Sequence, residues 1–263
     1  MNIGIIGKGA IARYVQQALI ARGHTIGALL LRTSPDSQTA EPDDDVTRVV
    51  SVDGLPQGLD CMLDCAGHGA LRQHGAGILR RGIDLVTLSV GALADADLYE
   101  ALARAAADGR ANLHLASGAI GALDCLRAAR AGNLDSVTYI GRKPPIGWKG
   151  SAAENRLDLD ALESGAHVHF DGTAGDAARE YPKNANVAAA VALAGLGFEQ
   201  TRVRLIADAD VTENIHAVEA SGDFGRFEFE VRGRALPDNP RSSALAAMSV
   251  VAMLDQQARP FRF

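Results

Sequence analysis

A chain of 263 residues is long enough for one large or two modest domains with a substantial core. It is 47% hydrophobic and 22% charged, the balance of a soluble enzyme, and its net charge of −6 argues against a phosphate-backbone partner, since nucleic-acid binders usually show a basic face. No apolar run approaches the ~18 residues of a membrane span, and the N-terminus has neither a basic segment nor a cleavage site, so a cytoplasmic chain with no membrane partner is predicted.

Asn2-Ile3-Gly4-Ile5-Ile6 is a short β-branched strand that breaks into Gly7-Lys8-Gly9-Ala10-Ile11-Ala12, with a helix predicted over 10–22. This is the dinucleotide fingerprint in its required context. Gly7 permits the tight turn, Gly9 lets backbone approach a pyrophosphate, and Ala12 replaces the third glycine. The N–H groups around Ala10 and Ile11 face the phosphates. A second strand is predicted at 25–31, a polar surface loop at 33–45 and a buried strand at 59–65. A helix at 70–80, a strand at 84–88, a helix at 95–108 and a strand at 112–116 follow. Strands alternating with helices of this length imply βαβ units and a doubly wound parallel sheet, and residues 1–116 are read as a dinucleotide-binding domain. After Ser117 the pattern changes. An alanine-rich helix is predicted at 119–131, then strands with period-two alternation at 201–205 and 226–232. One wet and one buried face implies a second α/β domain on a largely antiparallel sheet, read as residues 117–238 with a catalytic and dimerising role. A last helix at 242–256, within a 239–263 segment, is predicted to pack on the first domain or on a partner.

An acidic residue ~20 positions after the glycines would bind a ribose 2′-OH. Here the second strand ends Leu31-Arg32-Thr33-Ser34. Arg32 suits a 2′-phosphate, or it stacks on adenine or faces water, so both NAD and NADP are expected. Ala66 and Gly67 leave a strand beside the cofactor, and His68 follows them. Ser117-Gly118-Ala119-Ile120-Gly121-Ala122 precedes a helix, where it either meets the dinucleotide or only caps. Lys143-Pro144-Pro145-Ile146-Gly147-Trp148-Lys149-Gly150 is a proline-braced loop with the only tryptophan, and Tyr181-Pro182-Lys183-Asn184-Ala185-Asn186 starts an alanine-rich helix. Their lysines either bind carboxylates or are solvated. Of seven histidines, His24 reads as a turn residue, while His74, His114, His167 and His169 have no chemical neighbourhood in sequence. His216 lies inside a period-two strand, where packing and catalysis are both open. Cys61, Cys65 and Cys125 read as small buried or reduced residues, and no metal site is predicted.

Taken in order, the fingerprint, Ala66-Gly67-His68-Gly69-Ala70, residues 117–124, 142–150 and 181–192, Asn214-Ile215-His216 and residues 239–250 resemble the L-aspartate dehydrogenase family. The family's usual Ala-Ile-Gly-Gly reads Gly121-Ala122 at its end here. The resemblance implies a dimeric enzyme that oxidises L-aspartate with NAD(P) to iminoaspartate, which hydrolyses to oxaloacetate and ammonia, in some members for NAD biosynthesis. It implies that His216 is the catalytic histidine and that Ala119 and Asn186 contact the cofactor. Arg142, Lys149 and Lys183 are the candidate partners of the two substrate carboxylates. An unperturbed imidazole titrates near ~6.5, so His216 is expected to be a base at neutral pH. Competing readings are a cyclic imine reductase, an aldose dehydrogenase or a catalytically silent NADP sensor. The aldose enzyme would carry a Lys-Pro pair where this chain has Ser89-Val90-Gly91-Ala92-Leu93, and the sensor would lack the histidine and lysine segments.

Overall fold

Ile3, Ile5 and Ile6 of β1 (Asn2–Ile6) are all buried, as a strand covered on both faces requires. The computed structural model describes residues 1–33, 46–182, 184–237, 239–257 and 260. It divides into two units, Met1–Ala116 with Ala247–Phe263, and Ser117–Ala246. In the first unit β1 leads into α1 (Ala10–Ile20), β2 (Thr25–Leu30) and β3 (Thr47–Val49). β4 (Cys61–Asp64), α2 (His68–Arg80), β5 (Asp84–Thr87), α3 (Ala96–Gly109) and β6 (Leu113–Leu115) follow. The six strands are parallel in the order β3-β2-β1-β4-β5-β6. The order reverses between β1 and β4, the switch point at which doubly wound sheets bind ligands. Asp95 caps α3 by accepting from the N–H groups of Asp97 and Leu98. The short edge strand β3 was not expected. Residues 34–45 of the expected loop lie outside the described residues.

The second unit begins with α4 (Leu123–Ala129), not with a helix from residue 119. Gly118 at φ +71° and Ala122 at φ 60° are left-handed positions, and an α-helix cannot run through either. β7 (Leu134–Lys143), β8 (Ala166–Thr173), α5 (Ala174–Glu180), α6 (Asn186–Ala194), β9 (Arg202–Asp208), β10 (Asn214–Gly222) and β11 (Gly225–Gly233) complete the body of the unit. The sheet order is β11-β10-β7-β9-β8, antiparallel at every pairing except β7 with β9. Val137, Tyr139, Val203, Leu205, Val218 and Ala220 of the sheet form one core with Ala174, Ala177, Ala188, Val191 and Ala192 of α5 and α6. The small side chains of α6 let it lie close on the strands.

A small hairpin, β12 (Ala235–Leu236) and β13 (Asn239–Ser243), leads into α7 (Ala244–Gln257). Val250, Val251 and Leu254 are buried, and Asp255 ion-pairs Arg22 at 3.0 Å. His24, read as a turn residue, has its Nε2 3.7 Å from the same carboxylate. Leu245 and Met248 remain exposed. Among the described residues no helix is long and apolar enough to cross a membrane.

Candidate active site

The turn after β1 has the form a dinucleotide needs. Gly7 sits at φ +98°, and a Cβ there would lie 3.0 Å from Cβ of Ala66 in the turn after β4. Gly9 caps α1, and a Cβ there would meet nothing within 4 Å. Gly67, at φ +93°, caps α2 with the same open space in front of it. Thus Ala10 and Ile11 open one helix and His68 another, both at the carboxyl ends of the neighbouring strands β1 and β4. Ala12 is buried and holds α1 down on the sheet. These features fit a pyrophosphate against the helix N-termini. Arg32 follows β2 and is exposed, with no carboxylate at the strand end.

Behind these turns lies a carboxyl group that sequence reading did not single out. Asp64 ends β4 fully buried, and its Oδ1 accepts the Ala66 N–H at 3.0 Å. Its Oδ2 accepts the hydroxyls of Thr87 at 2.8 Å and Ser89 at 2.6 Å, and the Ser89 N–H donates to Thr87 Oγ1. The network ties the exits of β4 and β5 together and sets the Ala66-Gly67 turn. Burial raises the Cys61 thiol to about 12 and raises that of Cys65 as well, so neither is a thiolate at neutral pH. Cys125 is exposed.

In the second unit His216 lies on β10 opposite Gly141 of β7, on the face that packs against α5 and α6. It is 6% exposed, and its Nδ1 is 2.7 Å from Oη of the fully buried Tyr139. A Cβ at Gly141 would stand 2.8 Å from that hydroxyl, so only glycine lets Tyr139 lie along its own strand and reach the histidine. Burial first, and the Lys143 charge second, push the imidazole down to about 3. The ordinary value near ~6.5 assumed from sequence does not hold here. His216 is held neutral, with Nδ1 engaged by Tyr139.

Lys143 closes β7 on the same face as Tyr139 and Gly141. Its Nζ donates to Asn184 Oδ1 at 2.8 Å and stands 4.9 Å from the centre of the Trp148 ring. Burial lowers its ammonium to about 8. Trp148 meets His169 edge-on at 4.4 Å, and His169 Nδ1 lies 3.0 Å from Tyr181 Oη. His169, which sequence left without a neighbourhood, is buried and pushed down to about 4 by burial and then by Arg156 and Lys143.

Of the basic residues expected to clamp the substrate, Arg142 and Lys149 do not join this group. Arg142 alternates onto the opposite face of the sheet and pairs Asp208 at 2.9 Å. Lys149 is bound to Asp160 at the surface. Lys183 lies outside the described residues. Ala119 is buried before α4, and Asn186 is the first residue of α6. Of the remaining histidines His114 contacts Asp84 at 3.0 Å and His167 the Ser164 carbonyl at 3.2 Å.

The strand order and glycine turns of the first unit define a dinucleotide-binding domain of the Rossmann type. Residues 7–116 match the family model described as homoserine dehydrogenase, NAD binding domain, and residues 124–257 match that of aspartate dehydrogenase, C-terminal. The chain belongs to the L-aspartate dehydrogenase family. It is 51% identical over 262 residues to the L-aspartate dehydrogenase of Ruegeria pomeroyi, covering 100% of this chain and 94% of that protein. The L-aspartate dehydrogenase of Pseudomonas aeruginosa is 46% identical, with 98% of each chain covered. The crystal structure of aspartate dehydrogenase from Thermotoga maritima superposes with a TM-score of 0.79 at 26% identity, covering 100% of this chain and 99% of that one.

Proposed function

We propose that this enzyme oxidises L-aspartate to iminoaspartate with NAD or NADP, and that iminoaspartate then hydrolyses to oxaloacetate and ammonia. Likeness to L-aspartate dehydrogenases along essentially the whole chain carries this reading. Bound NAD(P)+ supplies the hydride acceptor. The turns at Gly7, Gly9, Ala10, Ile11, Ala66 and Gly67 hold and orient it, with Ala119 and Asn186 as further contacts. His216 is the general acid/base. With Nδ1–H donating to Tyr139, Nε2 is free either to take the substrate ammonium proton ahead of hydride transfer, or to take a proton from the water that adds to the imine carbon and return it as the amine leaves. Residues 1–116 serve nucleotide binding, residues 117–238 catalysis and dimerisation, and 239–263 closes on the first domain. The exposed Leu245 and Met248 support a homodimer, and three free cysteines support a cytoplasmic location. Supply of iminoaspartate for NAD biosynthesis belongs to the same reading.

The substrate test is selectivity. L-Aspartate is expected to exceed L-alanine in kcat/KM by about one to two decades, the effect of one charge-assisted contact worth about 1.5–3 kcal/mol. Comparable kcat/KM values for the two amino acids reject a dicarboxylate site.

For the cofactor, Arg32→Asp is expected to weaken NADP by about ten-fold or more through repulsion of the 2′-phosphate, and to spare NAD. Equilibrium binding of both nucleotides checks this. An unchanged NADP/NAD ratio in the variant means that Arg32 does not meet the phosphate.

A further inference from the structure

Lys143 is the basic group in the second unit whose surroundings most need explaining. Its hydrogen bond goes to an amide oxygen and its ring contact is to Trp148, both neutral. Among the described residues no carboxylate pairs with it. Arg142, Lys149, Arg156, Arg179 and Arg202 each meet an Asp or Glu of the chain itself. Its charge reaches His216 on β10 and His169 on β8, and it weighs against protonation of both. A desolvated ammonium that faces only an amide, an indole and two neutral imidazoles lacks the anion that would normally compensate it. Asn184 and Trp148 hold it in one place, so little side-chain freedom is lost when an anion arrives.

We propose that Lys143 receives a carboxylate of the dicarboxylic substrate, and that this ion pair, rather than Arg142 or Lys149, selects for such substrates. The proposal rests on the reading of the chain as an L-aspartate-oxidising enzyme. It also couples binding to chemistry. Once Lys143 is paired, its charge no longer opposes proton uptake by His216, so the base strengthens when a carboxylate is in place.

Lys143→Met keeps most of the length of the side chain without its charge, and succinate probes the site because it has two carboxylates and no amine to oxidise. In Lys143→Met the KM for L-aspartate and the inhibition constant of succinate are both expected to rise about ten- to a hundred-fold. NADPH affinity and the thermal midpoint are expected to stay at wild-type values, and Lys143→Arg is expected to restore most of the succinate binding. Lys143→Gln serves the same purpose if the methionine variant does not accumulate. Wild-type succinate inhibition in the uncharged variant overturns the proposal, as does an equal loss of succinate and NADPH binding. The two readings separate cleanly. L-Aspartate turnover with succinate inhibition indifferent to residue 143 sinks only the ion pair. Succinate binding through Lys143 without L-aspartate turnover sinks the reaction and leaves the ion pair.

Discussion

Replacing His216 by alanine is expected to leave a folded protein that binds NAD(P) normally, with kcat for L-aspartate oxidation lowered roughly 10²–10⁴-fold. A histidine that only packs would behave in the opposite way, losing stability and keeping turnover. The pH profile carries further information because the imidazole is held near 3. A group depressed this far is already neutral throughout the working range, so the wild-type rate should show no acid limb at the ordinary imidazole value near ~6.5. The rate should rise with pH as the substrate ammonium loses its proton, and His216→Ala should keep that limb at its lower overall rate. Steady-state kinetics of the two proteins over the same pH range, with NADPH titrations, make the comparison. If the variant keeps more than about a tenth of wild-type kcat with unchanged NADP binding, the assignment is wrong, and His68 at the start of α2 becomes the candidate.

Asp64→Ala is expected to lower stability by on the order of 3 kcal/mol or more, because the Thr87 and Ser89 hydroxyls and the Ala66 N–H lose a buried acceptor together. For a chain of this size that is a fall in thermal midpoint of roughly 6–12 °C. NADPH affinity should fall as well, since Asp64 shapes the turn at Ala66 and Gly67. Asp64→Asn is expected to be intermediate, as its amide keeps one acceptor oxygen but sets an NH₂ against hydroxyl donors. Calorimetry and nucleotide titration check both effects. A shift of under about 2 °C with intact nucleotide binding means that Thr87 and Ser89 find other partners by rotating.

The first unit was readable in sequence because its central strands are continuous apolar runs closed by glycine, as at β1, and its helices are capped, as α3 is by Asp95. The edge strand Thr47-Arg48-Val49 has three residues and no apolar run, and nothing local marks it. In the second unit the alternation of β10 and β11 was plain. β7 was not, because Gly141 blanks one of its inward positions and Lys143 occupies another. The expected helix from Ala119 failed because Ala122 adopts a left-handed conformation that alanine does not advertise. The surroundings of His216 were hidden for a different reason. That Tyr139 and Lys143 share its face, and that Arg142 does not, follows from the pairing of His216 with Gly141. Register of this kind is a tertiary property, and a one-residue slip would exchange the two sets. His169 acquires its neighbours only where Trp148 and Tyr181, distant in sequence, converge on it.

Trp148 is the single tryptophan of the chain, is 1% exposed, and is fixed by its Nε1–H donating to the Ile206 carbonyl at 2.9 Å. The Lys143 ammonium stands over its ring. The molecule therefore carries one buried indole whose emission energy is expected to respond to the electric field of the Lys143 ammonium. Anything that neutralises, removes or displaces that cation is written into the colour of the fluorescence, so the protein comes with its own optical gauge of charge at this point and needs no attached dye.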